Sequence, residues 1–145
     1  MVLLIIVFFN QLNIKFMNQL ETINTFLQVR GYDLRILKGQ DMNNPSIVSK
    51  ALTKREALDA LDLYERLSLP ILGGDVFSLN RIGEINWTYD NWYCEKYENE
   101  SRIEYTKRSV EETKQYINEY QKDSLLDTIY LFDIVYERYH KSDSF

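Results

Sequence analysis

The chain has one cysteine, Cys94, and one histidine, His140, in 145 residues. One cysteine excludes an intrachain disulfide, and one Cys with one His cannot supply the usual four ligands of a zinc site. Nucleophilic catalysis by a Cys–His pair would have to join these two residues, and His140 stands in a charged tail. Cys94 reads instead as a small apolar residue inside a strand. Neither G-x-G-x-x-G nor G-x-x-x-x-G-K occurs, so Gly73-Gly74-Asp75 is not a phosphate loop. The glycine pair reads as a tight passage from a helix into a strand. Asp75, Asp90 and Asn91 show no metal-binding spacing, so neither a metal nor a cofactor is expected. The longest apolar run, Val2–Phe9, is far shorter than the roughly 20 residues of a membrane-spanning helix. It also lacks the basic start and small-residue cleavage site of a secretory signal. Nor is there an excess of basic charge. Lys and Arg number 17 against 22 Asp and Glu, for a net charge of −5. Residues 1–50 carry +2 and the remainder −7. Such a body repels phosphate backbones and attracts basic proteins. The expectation is a cytoplasmic protein that binds neither nucleic acid nor membrane.

What is present is a single-domain pattern. Residues 17–145 read as one domain, with residues 1–16 as an upstream extension or arm before Met17. Leu20, Ile23 and Leu27 lie on one helical face within Asn18–Val29, and Gly31 stands where the helix should stop. Residues 31–50 read as a surface loop with a turn at Asn43-Asn44-Pro45-Ser46 and a short strand at Leu34–Leu37. Thr53-Lys54-Arg55-Glu56 is a capping box opening a helix whose stripe is Ala57, Leu58, Leu61, Tyr64 and Leu67, closed by Pro70. Asp75–Leu79 and Glu84–Thr88 read as a β-hairpin around Asn80-Arg81-Ile82-Gly83, followed by a third strand within Asn91–Tyr97. Ser101 caps a helix running to about Gln121, with Ile103, Val110, Thr113, Ile117 and Tyr120 inward. Asp127–Tyr139 reads as a central strand with Asp133 as its one polar intrusion, before a polar tail. The predicted class is α+β, a mainly antiparallel sheet of about four strands with helices packed on one side.

Chemistry is less forthcoming. Asp75, Glu84, Asp90, Glu95, Glu98 and Glu100 offer many carboxylate pairs, but sequence spacing gives no distance between them. A small carboxylate-dependent hydrolase therefore stays open, as does a protein-interaction module. The window Glu84–Glu104 holds six acidic and two basic side chains together with Trp87, Tyr89, Trp92, Tyr93 and Tyr97. Aromatic anchors each contribute roughly 2–4 kcal/mol at an interface, whereas exposed ion pairs give under about 1 kcal/mol. In such a surface the rings supply affinity and the acids steer a basic partner.

Three segments carry a resemblance. P-I-L-G-G-D-V-F at Pro70–Phe77, T-Y-D-N-W-Y-C-E at Thr88–Glu95 and E-S-R-I-E-Y-T-K-R-S-V-E-E at Glu100–Glu112 resemble the immunity protein 40 family of bacterial polymorphic toxin systems. Phe77 stands where that family would place Tyr. The similarity covers roughly residues 51–136 and implies an antidote that neutralises a cognate toxin domain by stoichiometric occlusion, without catalytic residues. Asp75, Tyr89, Asp90, Asn91, Trp92, Tyr93 and Glu95 match the motifs. With Glu98 they form the expected toxin-facing set, and a basic nuclease fits the charge. Replacing Asp90 and Glu95 together by Lys is expected to weaken toxin binding while leaving the fold intact, as measured by titration calorimetry and thermal unfolding.

Overall fold

The two capping residues open their helices as the spacing predicts. The computed structural model describes residues 2–43, 49–120 and 128–138. The elements run α1 (Val2–Arg30), β1 (Tyr32–Asp33), β2 (Lys50–Thr53), α2 (Lys54–Arg66), β3 (Ile71–Leu79), β4 (Ile85–Tyr93), α3 (Arg102–Glu119) and β5 (Ile129–Tyr136). Thr53 accepts from the Glu56 amide at 3.4 Å and Ser101 from the Glu104 amide at 3.1 Å. Each bond satisfies one amide that a helix start leaves without an intrahelical partner. One carboxylate oxygen of the first capping box, Glu56 Oε2, is buried without a hydrogen-bond partner.

The strands form one antiparallel sheet in the order β1-β2-β5-β3-β4. The α+β expectation holds, with five strands rather than about four and β5 in the centre. One face carries the larger core: Ala57, Leu61 and Tyr64 of α2 and Val110 and Ile117 of α3 cluster with Val76, Trp92, Phe132 and Ile134 of the sheet, joined by Ile23 and Leu27 of α1. Burying such side chains contributes about 1.5–3 kcal/mol each. The inward stripe expected of α3 needs one correction. Ile103 is exposed, and Tyr105 turns inward instead, its hydroxyl donating to the Cys94 carbonyl at 2.5 Å.

Among the described residues, the other face is covered over only part of its width. Leu34, Ala51, Phe77 and Leu131 form a second cluster there, with Leu37 and Trp87 packed against it. The expected strand at Leu34–Leu37 is absent. The segment turns, with the Lys38 amide donating to the Leu34 carbonyl at 2.9 Å, so that Leu34 plugs the sheet. The strands lie on either side of it, at Tyr32–Asp33 and Lys50–Thr53.

The glycine pair and the third strand also differ from expectation. Gly73 and Gly74 lie inside β3, not in a turn. A Cβ on Gly74 would overlap the Trp92 ring and the Asp133 carbonyl, and one on Gly73 the Trp92 carbonyl. The segment read as a third strand is, as far as Tyr93, the continuation of β4 beyond a bulge. Asp75 pairs with Asn91 and Phe77 with Trp87, so Thr88, Tyr89 and Asp90 together oppose Val76. Thr88 stitches the bulge, donating to the Val76 carbonyl at 2.7 Å and accepting from the Asp90 amide at 3.1 Å. Tyr89 takes φ 65° to allow it.

The predicted helix at Asn18–Val29 is the distal part of α1, which begins at Val2. Val2–Phe9 thus belongs to a helix long and apolar enough, by length and composition alone, to cross a membrane. The exclusion drawn from the length of that run does not hold. Residues 44–46 of the expected turn, the strand limits Asp127 and Tyr139, and His140 lie outside the described residues.

Gly74→Ala is expected to displace the Trp92 ring and cost about 1–3 kcal/mol. Urea denaturation followed by tryptophan fluorescence checks this.

Candidate functional site

Residues opposite one another in a sheet share a face, and so do alternate residues along a strand. The register therefore fixes which motif residues come together. Gly73 pairs with Tyr93 and Val135, and Asp75 with Asn91 and Asp133. Asp75, Asn91, Tyr93, Asp133 and Val135 all lie on the face opposite the helices, beside the part that Leu34 and Leu37 cover. Tyr89 joins them from the bulge, its ring stacked 6.2 Å from Trp87. Two rings stand out in this region: Tyr89 is 82% exposed and Tyr93 78%. Asn91 is exposed as well.

Trp92 turns the other way. It is 7% exposed, its indole nitrogen donates to Thr113 Oγ1 at 3.0 Å, and its ring stacks on Tyr116 at 4.7 Å. Asp90 also points to the helix side, where it accepts from the Tyr120 hydroxyl at 2.7 Å. Burial, and after it that carboxylate, push the Tyr120 phenol up. Reversing the charge of Asp90 therefore strikes the fold as well as the surface, and the paired Asp90 and Glu95 substitution does not isolate binding.

Glu95 and Glu98 are exposed in the segment between β4 and α3, whose first residues, through Tyr97, the sequence pattern places in a strand. A residue it missed, Arg108, holds that segment. Its guanidinium donates to both Glu100 oxygens at 2.6 and 2.9 Å, to the Glu95 carbonyl at 2.6 Å and to Glu112 at 3.1 Å. It also lies 3.7 Å over the Tyr97 ring. These bonds pull the Glu100 carboxyl down to about 2 and raise the Arg108 guanidinium. The spacing of Arg108 and Glu112 was visible as a helical ion pair; the reach back to Glu100 was not.

Under the sheet, Lys38 makes an ion pair with Asp133 and stands 4.0 Å from Asp75. Its ammonium also lies 5.9 Å from the Phe77 ring centre. Asp133, the polar intrusion foreseen in β5, is thus buried but paired. Burial pushes its carboxyl up, and the charge of Lys38 opposes that shift. Cys94 is buried against the Ser109 carbonyl at 3.8 Å and Thr113 Oγ1 at 3.7 Å, and desolvation raises its thiol. It is poorly suited to nucleophilic attack.

A known family model, immunity protein 40, matches residues 40–136 of this chain. The chain belongs to that family. No curated protein and no solved structure matches it. The match includes β2 to β5 and every residue of the exposed sheet region named above, while Lys38 lies just before it.

Replacing Lys38 by Met leaves two facing carboxylates without their cation and is expected to cost about 3 kcal/mol at neutral pH. A buried Asp without a cation has a folded-state pKa above its unfolded value. Its penalty is therefore present at neutral pH and is relieved as pH falls through the folded pKa. Thermal unfolding between pH 7 and pH 4 should show the variant's deficit shrinking toward the acid end.

Proposed function

We propose that this chain neutralises a cognate bacterial toxin domain by stoichiometric binding in the cytoplasm of the producing cell, and that the uncovered sheet region is its docking face. Membership in the immunity protein 40 family supports a toxin partner. The observation that carries the choice of face is the exposure of Tyr89 and Tyr93 on ordered strand backbone. Rings held by a sheet lose little conformational freedom on binding, and tyrosines of this kind supply much of the affinity at interfaces. Glu95 and Glu98 flank the face on a segment clamped by Arg108, where their charge draws in a basic partner before contact. A basic nuclease domain suits this charge. The protein acts by covering the toxin's working surface and performs no chemical step of its own.

The experiment pairs the chain with the toxin domain encoded by the adjoining gene. Tyr93→Ala is expected to weaken the complex by about 2 kcal/mol or more while changing folding stability by less than about 1 kcal/mol. Calorimetric titration and denaturant melts read the two quantities. Unchanged affinity places the contact face elsewhere. Substrate turnover by the pure chain, lost on changing a single carboxylate, would replace this reading with the hydrolase.

A further inference from the structure

Resting on that reading, we infer that the docking face receives an arginine side chain of the toxin, seated between the Tyr93 ring and the Asp75 carboxylate. The first support is charge. Asp75 and Asp133 face each other in register and share one ammonium, Lys38. Lys38 is committed to Asp133 and is farther from Asp75, whose side chain remains 36% exposed. The cluster as built presents the more open carboxylate to solvent with incomplete compensation. A second cation arriving from outside completes it.

Shape is the second support. Tyr93 lies diagonally across from Asp75, on the strand whose Asn91 is directly opposite. Diagonal neighbours in an antiparallel pair stand about 7–8 Å apart. A flat guanidinium can stack on the ring and still donate to the carboxylate within that span, with the Asn91 amide oxygen as a further acceptor. An ammonium can satisfy the carboxylate but cannot match the ring and both oxygens with one rigid plane.

The chain itself contains this arrangement once already. Arg108 lies 3.7 Å over Tyr97 while donating to both oxygens of Glu100 and to a backbone carbonyl. The exposed sheet region repeats the ring and the carboxylate, but its one cation, Lys38, is divided between Asp75 and Asp133. Residues 51–145 carry a net charge of −7, which favours delivery of a basic segment.

The test measures affinity for the same toxin domain by calorimetry, with melting temperature as the control for folding. Asp75→Asn, which leaves the Lys38–Asp133 pair in place, is expected to weaken binding about tenfold or more. Tyr93→Phe keeps the ring and should stay within about threefold, whereas Tyr93→Leu keeps apolar area and should lose about tenfold. Asp75→Glu should restore part of the loss. On the toxin side, an arginine-directed reagent such as phenylglyoxal should modify one arginine in the free domain that the complex protects. Full affinity in Asp75→Asn or Tyr93→Leu, or no protected arginine, overturns the seat. If Tyr93→Ala still weakens binding in that case, the docking face survives without it. If the wild-type chain does not bind the toxin at all, the functional reading falls together with the seat.

Discussion

Trp92 packs its ring against a residue with no side chain, and that contact sets the parity of strand β4. Because Gly74 offers no Cβ, the indole can approach the sheet backbone closely and reach Thr113 on α3. With Trp92 held inward, Asn91 and Tyr93 have to face outward, since side chains alternate along a strand. A slip by one residue would bury Tyr93 and Asn91 and expose the indole. The surface assigned to the toxin is thus fixed from the opposite side of the sheet, by packing. This also explains how one short motif can serve both purposes: T-Y-D-N-W-Y-C-E alternates between residues that build the core and residues that leave it.

Local signals were legible, and distant ones were not. Thr53 and Ser101 could be read as caps because a cap bonds to an amide three residues away. The centrality of β5 followed from apolar residues on both of its faces. The hairpin was found from Asn80 and Gly83, but its arms were read too short. Two glycines inside a strand look like a turn until the ring that needs them is known. The bulge at Thr88–Asp90 broke the alternation that marks a strand, so one strand read as two. The motif residues were located, yet which of them point outward depended on pairing with β3 and β5. The partner of Asp133 could not be read at all, because Lys38 lies 95 positions away in a segment without periodicity. Its effect is large in energy and invisible in pattern.

Two cationic side chains give the surface its order. Lys38 ties the segment after β1 to the centre of the sheet, and Arg108 ties the acidic stretch after β4 to α3. In both places a carboxylate that would otherwise repel its neighbours becomes an anchor for irregular backbone. Such stiffness favours binding in general, because ordering mobile loops on association subtracts from affinity. Glu95 and Glu98 stay exposed on the clamped segment, while Glu100 holds the guanidinium.

The kinked backbone at Tyr89 has a bearing on life in a crowded cell. β4 is an outer strand of the sheet, and a flat outer strand invites copies of the same molecule to stack edge to edge. With three residues set against one and a left-handed backbone angle in their midst, this rim cannot extend as a regular ladder. The distortion thereby guards this edge against pairing with an identical strand of another copy.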